Sequence, residues 1–321
     1  MGLFASHRFT TTTTPVFNLI NIVKEQIMRV SNAVWMSAAL AVSGCATTYE
    51  AKWDEKPAAV AATETDALAA ATAEGDAAWE LRADKAKLVE AITKWEAAFE
   101  KGQSGDLAAR LSRAHYLLGD GYYALENNTE ARDNEYQKGL DWATRALKLS
   151  APEFAKAMSD GKKHTEAITL AGKDAVPAMY WYATNLGKWA ASKGFATRLR
   201  YKDDIKATME HVKALDETYF FAGPWRYFGG FEALTAGLAG GSLEKSEANF
   251  KKAVEMSPTY LGTKVLWADY LCTKKQDKET FKKLLDEVIA ADARAEPSIA
   301  AENAIEQQKA KKLLAEIDEK F

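Results

Sequence analysis

The stretch GGSLEKSEANFKKAVEMSP, residues 240–258, decides the fold class of this chain of 321 residues. A glycine pair opens the stretch, and Ser246 supplies a small residue shortly after it. Phe250 and Ala253 follow at the spacing of one helix face, and Pro258 closes the segment. The pattern therefore predicts an amphipathic helix with a turn at each end.

The same pattern recurs downstream at a fixed period. Phe250 and Leu284 lie 34 positions apart, as do Leu234 and Ala268, and 34 residues is the length of one tetratricopeptide unit. Residues 260–292 then supply the next pair of helices. The opening stretch matches the second half of such a unit, and the matching residues are Gly241, Ser246, Phe250, Ala253 and Pro258.

Helical periodicity also dominates the upstream sequence, where patterns typical of strands are almost absent. Leu88, Ile92, Trp95 and Phe99 recur at three- and four-residue spacing. Residues 175–190 are apolar around most of a helix circumference, which is typical of a helix buried on several sides. The sequence therefore predicts an all-α fold of degenerate tetratricopeptide-like helical repeats, an α-solenoid.

The amino-terminal part of the chain carries a different kind of pattern. After Arg29 comes an apolar run, residues 33–42, that is too short for a bilayer span of about 20 residues. Ser43, Gly44 and Cys45 follow, and this arrangement resembles a bacterial lipobox. It predicts a lipoprotein signal peptide at residues 28–44 and lipidation of Cys45, which would anchor the chain to a membrane. A cysteine that lies near a cleavage site by chance is the alternative.

Composition divides the rest of the chain. Residues 1–27 do not fit a leader because a threonine run and Pro15 interrupt them, and we interpret them as a gene-model extension before a start at Met28. Residues 45–78 are rich in alanine, threonine and acidic residues, which predicts a flexible tether. The tetratricopeptide-like helical domain is expected to span residues 79–321.

Charge and motif content exclude several classes of function. The formal net charge of −3 offers no basic face for nucleic acid. No nucleophile elbow, phosphate-binding glycine loop or carboxylate pair appears in the sequence. We expect no catalytic site, no metal site and no cofactor, because the four histidines lack metal-ligand spacing; they are His7, His115, His164 and His211.

Aromatic residues are concentrated in two segments, residues 180–189 and 219–231. Core packing is the simpler interpretation, but the consecutive rings at 180–182 point about 100° apart on a helix, so some must line a second surface. In stacked helix pairs that surface is a groove or a cavity. Arg226 would offer a partner to a carboxylate, and a solvent-facing guanidinium is the alternative. The candidate cavity residues are Tyr180, Trp181, Tyr182, Trp189, Phe221, Trp225, Arg226 and Phe228.

Three segments behind the lipobox carry a family resemblance: residues 178–190, 220–234 and 240–289. The chain is similar there to the T component (TatT) family of the tripartite ATP-independent periplasmic (TRAP) transporters. The glycine-proline pair at 223–224 belongs to the more specific part of the match. Residues 238–239, leucine and alanine, depart from the family, which tends to have a proline there.

The resemblance implies a non-enzymatic lipoprotein that faces the periplasm. It would bind or channel a hydrophobic or amphipathic ligand, such as a fatty-acid-like carboxylate, and dock the substrate-binding P component of a TRAP transporter. A structural lipoprotein scaffold, whose helical groove binds proteins of the cell envelope, is the alternative. Ala46 in place of aspartate favours the outer membrane, and the sequence leaves open whether the chain forms a homo-oligomer.

Overall fold

The computed structural model describes residues 46–55, 65–237 and 240–321. Every regular element in these ranges is helical, apart from an isolated bridge between Ala236 and Gly241. The prediction of an all-α fold is therefore confirmed. Outside the described residues lie the expected gene-model extension, the signal peptide, Cys45 and the family departure at 238–239.

The described residues up to 215 form the first group of helices, in which 3-10 turns at Ile168–Leu170 and Lys173–Ala175 connect α6 to α7. These helices are α1 (Thr65–Glu80), α2 (Lys85–Lys101), α3 (Gly105–Tyr116), α4 (Thr129–Ser150), α5 (Pro152–Ser159), α6 (His164–Ala167), α7 (Val176–Ser192) and α8 (Phe195–Leu215).

The described residues from 219 onwards form the second group, in which a 3-10 turn at Pro297–Ile299 leads into the long carboxy-terminal helix. These helices are α9 (Tyr219–Thr235), α10 (Leu243–Met256), α11 (Gly262–Leu266), α12 (Thr273–Lys275), α13 (Lys278–Ala290), α14 (Ala300–Ala315) and α15 (Ile317–Lys320).

Side-chain caps explain where several helices begin. Asp84 accepts a hydrogen bond from the backbone N–H of Ala86 at 2.8 Å and so caps α2. Asn128 caps α4, Ser242 caps α10 and Asp277 caps α13 in the same way. Each cap satisfies a backbone donor that the helix itself leaves unpaired and contributes about 1 kcal/mol. Local sequence therefore sets these boundaries.

Helix α7 is central to the largest core, since it packs between α4 and α8 and also contacts α3. Met179 and Leu186 on α7 are fully buried, as are Leu111 on α3 and Leu140 on α4. Full burial of a side chain of this kind contributes about 1.5–3 kcal/mol. Residues 175–190 are apolar around most of the helix because other helices pack on several sides of α7.

Two smaller cores lie in the second group of helices. In one, Phe281, Leu285 and Cys272 are buried between α13 and the segment before it. Burial raises the pKa of the Cys272 thiol to about 12, so this cysteine behaves as a small apolar side chain. In the other, Phe250 of α10 packs flat on Trp267, with ring centroids 5.9 Å apart.

Two helix ends share one local geometry. The π-helical turn Leu117–Tyr123 follows α3, and the π-helical turn Trp267–Cys272 follows α11. A left-handed residue comes after each turn, Asn127 with φ 57° and Gln276 with φ 56°. In both cases the next residue caps the following helix. One helix–turn–helix design is therefore used twice.

The helical body begins before residue 79. Helix α1 packs along α2, and a Cβ on Gly75 would lie only 2.2 Å from the ring of Trp95. Residues 46–55 lie against α4, α7 and α8, where Trp53 packs edge-on to Phe154 at 5.3 Å. Two large rings, Tyr49 and Trp53, supply the contact in a stretch whose average composition suggests a tether.

Candidate functional site

A polar cavity of about 290 Å³ lies between the two groups of helices. The π turn after α3 and one face of α7 form one side of it. The start of α9, helix α11 with its π turn, and α14 form the other side. The cavity therefore brings together residues that are far apart in the sequence. Its volume lies at the lower end of the range found for small-molecule pockets.

The aromatic-rich helix α7 divides its side chains between this cavity and the core. Tyr180, Thr184 and Lys188, each one turn after the last, line the cavity together with Trp181. Tyr182 points to the opposite side, where its ring stacks on His164 with centroids 5.6 Å apart.

Trp189 lies on the core side as well. Its ring packs against the rings of Tyr49 and Tyr201, with centroids 5.8 Å and 5.9 Å away. The ring is 2% exposed. Consecutive aromatic residues on one helix thus serve two different surfaces.

Arg226 of α9 is one of four cations in the cavity lining and, at 5% exposed, the most deeply buried of them. Its guanidinium donates to the backbone carbonyls of Phe221 at 2.9 Å and Phe220 at 3.1 Å, and to the hydroxyl of Tyr180 at 3.0 Å. It also lies 4.1 Å from the ring centroid of Tyr260. No carboxylate of the described residues forms an ion pair with it.

The carbonyls that Arg226 holds belong to an unusual backbone turn. Phe220, Phe221 and Ala222 all have left-handed conformations, with φ of 46°, 56° and 56°. For residues with a Cβ this conformation costs about 1–2 kcal/mol each. Strain of this kind is found at functional sites, where the surrounding structure holds it in place. Here the turn directs two carbonyls to the guanidinium of Arg226 and places Phe220 in the cavity lining.

A separate group of partly buried charges forms the opposite wall. Asp120, in the π turn after α3, accepts hydrogen bonds from Lys188 at 2.5 Å, Lys309 at 2.7 Å and the Tyr136 hydroxyl at 3.0 Å. Burial favours the protonated carboxyl, but the two lysines outweigh it and lower the pKa of Asp120 below its ordinary value.

Lys309 on α14 also donates to Glu306 at 2.7 Å. Burial opposes the charge on Lys309, but Asp120 and Glu306 raise its pKa well above the ordinary value. Two lysines thus face two carboxylates in this group, and their charges balance. Among the described residues, Arg226 and Lys312 are the two cations of the cavity lining without an ion-paired carboxylate, and Arg226 is the more deeply buried of the two.

Three of the eight residues expected at a cavity line this one: Tyr180, Trp181 and Arg226. Phe221 stacks on Tyr260 behind the turn, with ring centroids 5.7 Å apart. Trp225 lies under Lys213 and donates to Glu217 at 3.1 Å. The remaining three, Tyr182, Trp189 and Phe228, are buried in the large core.

Several residues that line the cavity were not predicted from the sequence. Asp120 stands among apolar and glycine residues in LLGDGYY, and a charge in such a run was the available signal. Lys188, Lys309 and Tyr260 lie on helices or turns with unremarkable local patterns, so nothing in the sequence marked them.

Two kinds of feature are absent from the part of the chain that the structure describes. Within residues 46–55, 65–237 and 240–321, no group of three or more His, Cys, Asp or Glu side chains is placed to hold a metal ion. None of the helices in these ranges combines the length and apolar character that a bilayer crossing requires.

Comparison with known proteins gives one family. The model of the TAtT family, described as TRAP transporter T-component, matches residues 108–321, which is two thirds of the chain. The matched range contains every residue that lines the cavity. A search of the curated proteins finds no match to the chain.

Proposed function

The chain belongs to the TRAP transporter T-component family, and we propose that it serves its transporter by binding the carboxylate of an amphipathic ligand in the cavity beside Arg226. A T component is an accessory of a transporter in the cell envelope. The proposal adds a binding activity to that role and assigns it to named residues.

The single observation that carries the proposal is the buried guanidinium of Arg226. A buried charge is costly unless an opposite charge and hydrogen bonds compensate it. Arg226 has carbonyl and hydroxyl partners, but the described residues give it no anion. Arginine presents five donors in a planar fork that matches a carboxylate. A ligand carboxylate would therefore complete the site.

The walls and the volume limit the ligand. The rings of Tyr116, Trp181 and Phe220 supply apolar surface beside the guanidinium. A cavity of about 290 Å³ has room for about ten waters at roughly 30 Å³ each, and hence for about ten non-hydrogen atoms. A short amphipathic carboxylate, or the head of a longer one, suits these dimensions.

Octanoate and 1-octanol are the probes for this proposal, because they share a chain length and differ in charge. Isothermal titration calorimetry should show at least tenfold tighter binding of octanoate, which corresponds to about 1.4 kcal/mol. Arg226→Gln should abolish that preference, and Arg145→Gln, an arginine outside the cavity, should leave it intact. Equal affinity for both probes, or no octanoate binding at millimolar concentration, would overturn the proposal.

We also propose that the chain docks the substrate-binding P component of a TRAP transporter, as its family membership suggests. Analytical ultracentrifugation of the chain with such a component should show a complex. If no complex forms and other envelope proteins bind instead, the alternative of a structural lipoprotein scaffold would be favoured.

Anchoring through Cys45 is a further part of the proposal. The lipobox-like run before Cys45 supports a diacylglyceryl thioether there, with the helical body facing the periplasm and the outer membrane as the site. Mass spectrometry of the protein extracted from membranes should find residue 45 at the amino terminus with acyl chains. An unmodified or uncleaved amino terminus would contradict this part alone.

The tetratricopeptide-like repeat remains a proposal about the fold. The shared geometry of the turns after α3 and α11, with a left-handed residue and a capped helix after each, supports it. Repeat proteins unfold in locally coupled units. Hydrogen exchange should therefore show the helices from α10 onwards opening separately from those around α7, and a single opening step for both would argue against repeats.

A further inference from the structure

The first two turns of α8 expose an apolar pair with basic neighbours. Phe195 is 69% exposed and Leu199 is 51% exposed. The two residues are one helical turn apart and therefore lie on the same stripe. We propose that this surface rests on an anionic membrane, an inference that depends on the proposed lipid anchor at Cys45.

The charges around the apolar pair fit a lipid surface. Lys193, Arg198 and Arg200 are exposed and form no ion pair with any carboxylate of the described residues. Two acidic residues follow: Asp203 is paired with Lys202 at 3.2 Å, and burial raises the pKa of Asp204 although the charge of Arg200 opposes this. Residues 193–202 themselves contain no acidic side chain. Apolar side chains flanked by Lys and Arg are typical of helices that lie at a membrane interface.

The path of the chain brings the anchor to the same place. The backbone N–H of Thr47 donates to the hydroxyl of Thr197 at 2.9 Å, and that of Tyr49 donates to the hydroxyl of Tyr201 at 2.6 Å. The segment after Cys45 is therefore tied to the start of α8. Thr47 is the second residue after Cys45 in the sequence, so the described chain next to the proposed anchor runs along the start of α8.

Anchor and surface therefore act together. Lipid chains on Cys45 would bring the bilayer to the start of α8, where the cations without an ion pair would be attracted to anionic lipids. Phe195 and Leu199 would enter the headgroup region. The contact would fix the orientation of the helical body, which lipid chains on a flexible tether could not do. A second copy or a protein partner on this surface is the competing occupant.

The experiment uses the lipid-modified protein with a polarity-sensitive, thiol-reactive fluorophore. The label is attached at Leu199→Cys or at the control Leu81→Cys, since Leu81 is 57% exposed in the turn after α1. Cys272 is buried and does not compete for the label. The protein is placed in vesicles of phosphatidylcholine with 30% phosphatidylglycerol, part of the lipid carrying brominated chains that quench fluorophores in contact with them.

We expect brominated lipids to quench the label at position 199 at least twice as strongly as the label at position 81. Arg198→Gln with Arg200→Gln should reduce the quenching at 199 by at least half. Equal quenching at both positions would overturn the proposal. So would a label at 199 that is already shielded in detergent without lipid, because that result would assign the surface to a protein partner.

Octanoate affinity is measured on the same variants and should not change, since none of them touches the cavity. A failed quenching experiment with intact octanoate binding would therefore remove the membrane surface and leave the proposed ligand site standing. Mass spectrometry of residue 45 separates both outcomes from the loss of the anchor itself.

Discussion

The two faces of helix α7 differ in what they bury. On one face, Tyr182 and Trp189 pack against rings of neighbouring elements in a core without charges. On the other, Tyr180 and Lys188 meet Arg226 and Asp120 around the cavity. A shift of one or two positions along the same helix changes the place of a side chain from the core to the cavity lining.

The difference teaches that aromatic density alone does not mark a binding site. The core face is stabilised by burial and ring contacts, each worth about 0.5–1.5 kcal/mol beyond the buried area. The cavity face holds charges that are costly to bury, and their position beside an open volume points to a ligand. Variants on the core face should therefore change stability, and variants on the cavity face should also change binding.

The largest effect is expected for Trp189→Ala on the core face. Removal of this ring leaves a cavity among Tyr49, Tyr201 and their neighbours, and such truncations cost about 3–5 kcal/mol. Urea denaturation measures the loss. Octanoate affinity should stay within twofold of the parent, and a tenfold loss would show that the two faces are not independent.

A somewhat smaller loss is expected for Asp120→Ala on the cavity face. The substitution leaves Lys188 without its buried partner, while Lys309 keeps Glu306. Removal of one partner of a buried ion pair costs about 3–5 kcal/mol, and the partial exposure of Lys188, 31%, reduces the expected loss to about 2–3 kcal/mol.

Asp269→Ala is the matched control for that variant. Asp269 occupies the π turn after α11 and pairs with Lys320 at 3.2 Å where solvent reaches the pair. Its removal should cost less than about 1 kcal/mol. Similar losses for the two variants in urea denaturation would contradict the balance of charges assigned to the cavity.

Gly223→Ala tests the cavity face through its backbone. A Cβ on Gly223 would lie 2.5 Å from the ring of Tyr180, so the ring must shift and its hydrogen bond to Arg226 is disturbed. Overpacking of this kind costs about 2 kcal/mol. Octanoate titration should show weaker binding as well.

Gly139→Ala provides the comparison, because its Cβ would clash instead with Asn185, 2.4 Å away and outside the cavity lining. This variant should lose stability and keep its octanoate affinity. If Gly223→Ala binds octanoate as tightly as the parent, the position of Tyr180 does not affect the ligand site.

The smallest effect concerns pH and the core face. Burial between the rings of Tyr182 and Phe154 lowers the pKa of His164 to about 4. Because the unfolded chain binds a proton near pH 6.5 and the folded chain does not, stability is lost as pH falls below about 6.5. Between pH 6.5 and 5.5 the contribution of His164 to the free energy of unfolding should fall by about 1 kcal/mol. His164→Gln should remove this part of the slope, and an unchanged slope would show that other groups cause it.

The all-α fold could be predicted because it depends on patterns of residues that are close together in the sequence. The stripe from Leu88 to Phe99 and the helix start at Ser242 depend on residues close together in sequence. The argument that Tyr180, Trp181 and Tyr182 cannot share one face also needs only helix geometry. Family resemblance then supplied the transporter context.

The charged part of the site could not be predicted, because it is assembled over long sequence distances. Asp120, Lys188 and Lys309 come from three elements whose contact depends on the packing of the whole body. The left-handed turn at residues 220–222 contains no glycine that would announce it. The contact of residues 46–55 with α8 likewise depends on two hydroxyl groups, those of Thr197 and Tyr201.

The central claim is that the buried guanidinium of Arg226 receives a ligand carboxylate, and a titration of bound carboxyl-¹³C octanoate by NMR tests it most directly. A neighbouring cation stabilises a carboxylate and lowers its pKa by about 1–3 units. The account predicts a carboxyl pKa at least one unit below that of free octanoate. A pKa equal to or above that of the free acid would place the carboxyl away from Arg226 and contradict the account.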